Sequence, residues 1–303
     1  MAPVGPAGAL SLAPPRLARP GIGHAGYLLR QIRETKSYWI RVDGTDFHYR
    51  AALEAAVDAP GVVLVHGIGV SSRYMCPLLQ HLAPFCRVYA PDLPGCGLTR
   101  PKVALDLDAT ADALARFMEA VGIPRATLIG NSMGCQTLVR FAQRHPARLE
   151  KAVFTGPTLD PAARTRTKQL YRWARTGLEE PLSLGLVLLQ EYWDCGLRRM
   201  WRTFLFALED RMEERLPSVR VPALVVRGTG DHVAPDAWAR RVAALLPQGR
   251  LLVLPGAAHG VNYDAPLELA RVLRPFLLDG SASHPDRTPD LRDRAPGSCP
   301  RGP

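Results

Sequence analysis

The chain alternates between short apolar runs and longer stretches in which apolar residues recur every three or four positions. Runs such as "GVVLVHG" from Gly61 and "ALVVRG" from Ala223 are continuous in β-branched residues or leucine and end in glycine. Such runs are typical of parallel strands buried on both faces, whereas "DATADALARFMEAVG" and "DAWARRVAALLP" have helical spacing. The alternation predicts an α/β fold with a mostly parallel central sheet flanked by helices.

Eight segments are predicted as strands of this sheet. They are "YWIRV" at 38–42, "FHYRAAL" at 47–53, and the runs that begin at Gly61, Arg87, Ala126, Lys151, Pro222 and Arg250. The first two segments lie close together in the chain, so they can pair antiparallel at one edge of the sheet.

Residues 157–216 interrupt the rhythm, because they combine helical periodicity with many aromatic residues and contain no convincing strand. This segment is predicted as a helical cap inserted into a core that comprises residues 26–156 and 217–279. Residues 1–25 are rich in proline, glycine and alanine and are predicted to form a flexible arm. The tail at 280–303 has too few apolar residues to build a core and is predicted to be disordered.

The composition of the chain limits which binding partners and which cellular location are expected. A length of 303 residues with 47% apolar and 22% charged residues is ordinary for a soluble globular protein. The net charge of +10 could indicate nucleic acid or anionic lipid, but the excess is mostly arginine and is spread along the chain, so no nucleic-acid partner is expected. The stretch near "LSLGLVLL" is shorter than the ~20 residues that span a bilayer, and the N-terminus lacks the charged start of a signal peptide. We therefore expect a cytoplasmic protein without a membrane span.

The six cysteines are scattered along the chain, and none forms a CxxC pair or a spacing typical of zinc. They are interpreted as reduced, partly buried thiols. No metal site is expected from them.

The segment "GNSMG", Gly130 to Gly134, matches the pattern G-x-S-x-G directly between a predicted strand and a predicted helix. A sharp strand-to-helix turn strains the middle residue and lifts the Ser132 hydroxyl clear of the sheet, while small neighbours allow close approach. The start of the helix favours negative charge developing nearby. A glycine-rich turn with a helix-capping serine is the structural alternative.

A nucleophilic serine needs a base, and the base needs an orienting carboxylate. Asp231 follows the strand "ALVVRG", and His259 follows the strand "LLVLPG". The carboxyl ends of parallel strands meet at one edge of a sheet, so Ser132, Asp231 and His259 are predicted to converge there in the order expected for this turn. Asp160 is a second possible acid, and its "LDPAA" context also resembles a helix start.

Two backbone amides are predicted to hold the oxyanion: Met133 N–H, and Ile68 N–H in the loop "HGIG" beside Gly67. Gly67 and Asn131 are candidate substrate-binding residues, and Asn131 could instead brace the turn. Several neighbouring polar residues are interpreted as structural rather than catalytic. They are His66, which braces its loop, Asp92, which ties loops together, His232 beside the acid, and Cys135, which packs in the helix.

The blocks "HGIG", "DLPGCG", "GNSMG", "GTGDHVAP" and "GAAHGVNYDAP" appear in the order found in the α/β-hydrolase fold superfamily, which the chain resembles over residues 38–279. The resemblance implies Ser132 as nucleophile, Asp231 as acid and His259 as base, with Ile68 and Met133 at the oxyanion. It implies that residues 157–216 are the family's helical cap. The "HGIGVSS" and "GNSMG" segments also resemble hydrolases of meta-cleavage products and small aryl esterases. Gly260 departs from the former, which often carry tryptophan after the catalytic histidine.

The resulting hypothesis is a serine hydrolase that cleaves an ester or related acyl bond of a small-to-medium, mainly apolar substrate through an acyl-enzyme. Carbon–carbon bond hydrolysis, acyl transfer to another acceptor, and non-catalytic ligand binding are the alternatives. No cofactor is expected, because the nucleophile and its base are both in the chain. Most aromatic residues of the cap are expected to pack within it, with two or three facing substrate. They are Tyr171, Trp173, Tyr192, Trp193, Trp201, Phe204 and Phe206.

Overall fold

The computed structural model of the protein describes residues 35–279. The predicted arm at 1–25, the first residues of the predicted core at 26–34, and the predicted tail at 280–303 lie outside the described residues.

The described chain forms one eight-stranded sheet, in which six neighbouring strands run parallel. In chain order the strands are β1 (Lys36–Val42), β2 (Thr45–Ala52), β3 (Gly61–Val65), β4 (Arg87–Pro91), β5 (Ala126–Asn131), β6 (Leu149–Thr155), β7 (Ala223–Gly228) and β8 (Gly249–Leu254). Their order across the sheet is β1-β2-β4-β3-β5-β6-β7-β8. The eight predicted strands and the parallel character of the sheet are confirmed.

The antiparallel edge predicted for the first two strands is also confirmed, since β1 pairs with β2 and β2 with β4 in antiparallel fashion. The turn between β1 and β2 consists of Asp43 and Gly44, with φ of 48° and 76°. Positive φ at both central residues matches the twist of a two-residue hairpin.

Both faces of the sheet are buried, which explains the continuous apolar runs. On β3, Val63 and Val65 face one hydrophobic cluster, while Val62 and Leu64 face another. Helices α2 (Leu107–Ala120), α3 (Met133–Arg144) and α8 (Asp236–Leu245) cover the first face. Helices α1 (Ser72–Leu82), α9 (Val261–Asp264) and α10 (Pro266–Leu278) cover the second. The central sheet therefore holds the carboxyl ends of its parallel strands in fixed relation to one another.

Residues 156–222, between β6 and β7, contain helices and no strand. These are α4 (Arg166–Gly177), α5 (Leu182–Cys195), α6 (Leu197–Glu209) and α7 (Met212–Arg215), with short 3-10 turns at Pro161–Ala163 and Leu216–Ser218. We call residues 157–216 the helical insert.

Buried carboxylates attach the helical insert to the rest of the molecule. Glu191 of α5 accepts hydrogen bonds from Ser71 Oγ at 3.0 Å and Arg73 Nε at 2.6 Å. Asp210, after α6, accepts from Arg140 Nη2 of α3 at 2.7 Å. These contacts place the insert above the carboxyl ends of the strands.

Candidate active site

Ser132 occupies a strained turn between β5 and α3. Its φ of 58° and ψ of −121° lie in a region that residues with a side chain rarely adopt. Its backbone N–H donates to Thr155 O of β6 at 3.0 Å, so the turn is fixed to the neighbouring strand. The strand, strained residue and helix follow one another as the G-x-S-x-G pattern requires.

The two glycines of the pattern are needed because the backbone is crowded on both sides of the turn. A Cβ atom at Gly134 would lie 2.2 Å from Val65 O of β3. A Cβ atom at Gly130 would lie 2.6 Å from the carbonyl carbon of Gly134. Helix α3 can therefore start close to the sheet only if both positions lack a side chain.

Asp231 and His259 meet at the same edge of the sheet. The loop after β7 carries Asp231, the loop after β8 carries His259, and the distance from His259 Nδ1 to Asp231 Oδ2 is 2.9 Å. The second carboxylate oxygen of Asp231 accepts from the Val233 and Ala234 amides, each at 2.9 Å. Both oxygens of the buried carboxylate are therefore used, which fixes its orientation.

The pair is buried, and its members shift each other's pKa. Burial alone would raise the pKa of Asp231, but the charge and hydrogen bond of His259 outweigh it, so the pKa lies below its usual value. Burial would lower the pKa of His259, but the charge and hydrogen bond of Asp231 outweigh it and raise that pKa. The arrangement therefore stabilises an imidazolium at His259.

Arg227, Asp264 and Asn131 hold the loops of the site. Of these, only Asn131 was a candidate site residue in the sequence. Arg227 of β7 donates from Nη2 to Asp231 O at 3.2 Å and from Nε to Ala234 O at 3.0 Å. Asp264 accepts from the Ala258 amide at 2.7 Å, just before His259. Asn131 Nδ2 donates to His259 O at 3.3 Å, so Asn131 braces the turn while also lining the cavity. Asp264 lies within the block "GAAHGVNYDAP", but nothing in that block distinguishes it as a residue that positions the loop.

The neighbouring polar residues interpreted as structural make structural contacts. Asp92 accepts from the Ser72 amide at 2.8 Å and the Leu98 amide at 2.7 Å, which ties two loops together. His66 Nε2 accepts from the Leu93 amide at 3.0 Å, and burial lowers its pKa. A neutral, hydrogen-bonded His66 braces the loop after β4.

The alternative acid and the remaining neighbours lie in other contacts. Asp160 accepts from the Ala162 amide at 2.9 Å at the start of a 3-10 turn and pairs with Arg172 at 2.7 Å. The His232 backbone N–H donates to Thr176 Oγ1 at 3.1 Å. Cys135 is buried in α3, and burial raises the pKa of its thiol well above the usual value. The structure brings Asp231, and not Asp160, to His259.

A cavity of about 170 Å³ opens over the turn. Gly67, Ile68, Asn131, Ser132, Met133 and His259 all line it. Met133 is the first residue of α3, where backbone N–H groups have no acceptor within the helix. A Cβ atom at Gly67 would lie 3.1 Å from Ser132 Cβ, so the absence of a side chain leaves room beside the hydroxyl.

The helical insert forms the opposite wall of the cavity, and its aromatic residues are placed only partly as expected. Trp173, Tyr192, Trp201 and Phe204 line the cavity, whereas two or three were predicted to face it. Tyr171 and Trp193 are exposed instead of packing within the insert, with 65% and 86% of their surface accessible. Trp173 packs on Tyr192 and Trp201 packs on Phe204, with ring centroids 5.9 Å and 5.4 Å apart, so four of the seven side chains pack within the insert as expected. The exposure of Tyr171 and Trp193 was not predicted, because helical periodicity marks an apolar face without showing what covers it.

Glu180, between α4 and α5, is a cavity residue that sequence reasoning missed. It is the one carboxylate in the cavity wall formed by residues 35–279, and that wall contains no lysine or arginine. Burial raises the pKa of Glu180 to about 7, against the opposing charge of His259. A Cβ atom at Gly260 would lie 3.0 Å from Leu184 Cδ2, 3.0 Å from Tyr74 Oη and 3.4 Å from Glu180 Oε1. Gly260 therefore leaves space beside His259 that side chains of the insert and of α1 fill.

The eight-stranded sheet, the strained serine turn and the buried His259–Asp231 pair define the α/β-hydrolase class. Residues 62–272 match the model of the alpha/beta hydrolase family, and the chain belongs to this family. Membership confirms the resemblance described above, and together with hydrolase relatives it makes the protein an enzyme of the hydrolase class.

Individual relatives within the family differ in what their names state. A 2-hydroxy-6-oxo-6-phenylhexa-2,4-dienoate hydrolase of Burkholderia cepacia is 26% identical over 77% of this chain and 93% of its own length. A putative carbamate hydrolase of Caulobacter sp. is 27% identical over 75% of this chain and 94% of its own. The crystal structure of an enol-lactonase from Burkholderia xenovorans matches with a TM-score of 0.66 and 25% identity, over 79% of this chain and 99% of its own.

Residues 35–279 contain neither a cluster of metal ligands nor a membrane-spanning helix. No group of three or more His, Cys, Asp or Glu side chains in that range is arranged to hold a metal ion. No helix in the same range has both the length and the apolar character needed to cross a bilayer.

Proposed function

We propose that the protein hydrolyses an ester or related acyl bond of a small-to-medium, mainly apolar molecule. In this proposal Ser132 is the nucleophile, His259 the general base and Asp231 its orienting acid. The observation that supports it most is the strained Ser132 at the same cavity as His259, whose Nδ1 is 2.9 Å from buried Asp231.

The chemistry follows from these positions. His259 takes the proton of Ser132 Oγ through its second ring nitrogen, and Oγ attacks the carbonyl carbon. The Ile68 and Met133 amides donate to the oxyanion, which forms beside the start of α3. His259 then protonates the leaving oxygen and later activates the water that releases the acid. Asp231 stabilises the imidazolium in both steps.

The cavity wall supports an apolar substrate. Trp173, Trp201 and Phe204 present aromatic surface from the helical insert, which we infer acts as a cap that selects substrate. Glu180 is the sole carboxylate in the described wall, and above about pH 7, where it is ionised, it would repel an anionic group near His259. Neutral esters are therefore favoured over carboxylate-bearing substrates.

Carbon–carbon bond hydrolysis is the second candidate, and the similarity to the Burkholderia cepacia dienoate hydrolase supports it. A dienoate carries a carboxylate, for which the described cavity wall offers no cationic side chain apart from His259. Because the described cavity wall lacks a further cation that could bind this carboxylate, we rank ester hydrolysis ahead of carbon–carbon bond hydrolysis.

Replacing the nucleophile tests the mechanism. Ser132→Ala is expected to reduce kcat on a p-nitrophenyl ester by about four orders of magnitude or more, because the acyl-enzyme cannot form. Ser218→Ala, the same change at a residue outside the cavity wall, is the control and keeps wild-type kcat. Near-normal hydrolysis by Ser132→Ala would refute the proposed nucleophile.

A substrate panel separates the two candidate reactions. Wild-type enzyme is assayed on p-nitrophenyl esters of increasing acyl length and on a 2-hydroxy-6-oxo-dienoate. Higher kcat/KM on the esters supports the first candidate, and efficient cleavage of the dienoate with poor ester turnover supports the second.

A further inference from the structure

The helical insert exposes an apolar surface of its own. Six side chains of the insert, which we call the apolar face, are each at least 68% exposed. They are Leu178, Leu182, Leu186, Leu189, Trp193 and Leu197. Contiguous apolar surface of this kind marks an interaction site on an otherwise polar protein.

Helix α5 provides the centre of the apolar face. Leu182, Leu186, Leu189 and Trp193 recur at intervals of four, three and four residues, so they lie along one side of the helix. Leu184, Val187, Glu191 and Cys195 are buried and lie along the other side. Helix α5 therefore has leucine or other apolar residues on both sides. Only one of these sides is buried within the protein.

Cations flank the apolar face on the two adjacent helices. Arg175 is on the exposed side of α4, three residues before Leu178, and Arg198 and Arg202 are on the exposed side of α6, next to Leu197. Arg166 and Lys168 are exposed at the start of α4. None of these five forms an ion pair with another residue within 35–279. Arg166 lies over the Trp201 ring, and Lys168 donates to Ala162 O. Arg175, Arg198 and Arg202 therefore carry the charges that are available to an external anion.

We propose that the apolar face binds the surface of an anionic phospholipid bilayer. The leucines and Trp193 insert at the level of the lipid headgroups, and the flanking arginines contact lipid phosphates. Tryptophan favours this zone, because its ring is apolar and its N–H is polar. A symmetric dimer formed through the apolar face would place the cations of both copies in one interface. Their mutual repulsion disfavours a second copy of the chain as the binding partner.

The position of the apolar face bears on access to the site. Leu170, Trp173 and Trp201 line the cavity and are also 47%, 48% and 42% exposed, so they form its mouth. All three belong to the helices that flank the apolar face. The mouth and the apolar face therefore lie on neighbouring helices of the insert, so an apolar ester held in the bilayer would have a short path to the cavity. This last consequence rests on the proposed hydrolysis, whereas docking does not.

Co-sedimentation of the full chain with vesicles tests the docking. Binding to phosphatidylcholine–phosphatidylglycerol vesicles is expected to exceed binding to pure phosphatidylcholine vesicles and to fall as salt is added. Leu186→Gln/Leu189→Gln/Trp193→Gln is expected to weaken binding at least about tenfold, because the inserted apolar surface is lost. Arg198→Glu/Arg202→Glu is expected to weaken it at least roughly thirtyfold, since each lost cation contributes about fivefold and the new carboxylates are repelled by the anionic surface.

Control variants carry the same kinds of substitution at sites away from the apolar face. Val57→Gln changes an exposed apolar residue elsewhere, and Arg241→Glu/Arg250→Glu makes the same charge change on α8 and β8. Both should bind as wild type, as should Ser132→Ala, which separates docking from hydrolysis. The proposal is overturned if wild-type protein stays in the supernatant with both vesicles, or if the apolar-face variant binds normally. It is equally overturned if that variant instead dissolves a dimer detected by light scattering.

Discussion

Gly134 lies directly against the backbone of β3, where an added Cβ atom would come within 2.2 Å of Val65 O. A backbone oxygen in a central strand cannot move aside, so Gly134→Ala is expected to destabilise the protein by about 3 kcal/mol. Gly185 in α5 is the matched control, because a Cβ atom there meets nothing within 4 Å. Gly185→Ala should stabilise the protein by about 0.5–1 kcal/mol, since alanine loses less entropy in a helix. Urea denaturation measures both, and equal stability of the two variants would contradict the steric argument.

Glu180 influences the proposed base at the residue scale. Its negative charge helps to raise the pKa of His259, so the neutral Glu180→Gln variant is expected to have a lower His259 pKa. Only neutral His259 can accept the serine proton, so the acidic limb of the kcat/KM profile should move to lower pH. Glu179→Gln, at the adjacent exposed position, should leave the profile unchanged. An acidic limb that stays in place or moves to higher pH in Glu180→Gln would show that Glu180 does not act on the base.

Individual residues of the site differ in how far their sequence context could reveal them. Ser132, Asp231 and His259 each follow a recognisable strand, so their convergence was predictable from the geometry of parallel strands. Glu180 lies in an irregular connection, and it reaches His259 only through the fold of the helical insert. Arg227 lies in a strand that its apolar neighbours dominate, so nothing local distinguishes its role from that of a surface arginine.

At the scale of single elements, Lys151 of β6 caps the end of α10. Its ammonium donates to Phe276 O at 2.8 Å and Asp279 O at 2.7 Å, and Lys151 is only 8% exposed. Lys151→Met is expected to destabilise the protein by about 1–3 kcal/mol, because partly buried carbonyls at the helix end lose a charged donor. Lys36→Met is the control, since Lys36 pairs with Glu54 in solvent and should have no measurable effect. Thermal unfolding measures both, and an unchanged Tm for Lys151→Met would mean that water replaces the cap.

The hydrophobic periodicity of the chain predicted its strands and helices more fully than it predicted which neighbours each one packs against. All eight strands were predicted, because burial on both faces makes each one a continuous apolar run. The order β2-β4-β3-β5 could not be deduced, since it depends on which edges each crossover leaves open. The exposure of one side of α5 could not be predicted either, because its leucines have the same spacing as those of a buried helix face.

At the scale of the whole molecule, the helical insert and the sheet differ in how they are stabilised. Strands β5 and β7 are buried along their whole length. Helix α6, by contrast, buries one residue, Ala207, and depends on polar contacts at its end. Asp210, whose side chain is 1% exposed, receives hydrogen bonds from Arg140 at 2.7 Å and from Gln136 Nε2 at 3.2 Å. The attachment of α6 is therefore concentrated in a few buried charges, whereas α5 also buries Leu184 and Val187 in the core.

This concentration predicts that α6 can open without the sheet. Asp210→Ala leaves Arg140 without its buried partner, which costs about 3 kcal/mol, and hydrogen exchange in residues 197–215 should accelerate roughly a hundredfold. Exchange in β5 and β7 should stay within the range of wild type, since their hydrogen bonds do not involve the insert. Glu214→Ala, which removes an exposed pair with Arg211, is the control and should leave both regions unchanged. Equal acceleration of the insert and the strands in Asp210→Ala would mean that the molecule unfolds as one cooperative unit, because the loss would then be felt throughout the structure.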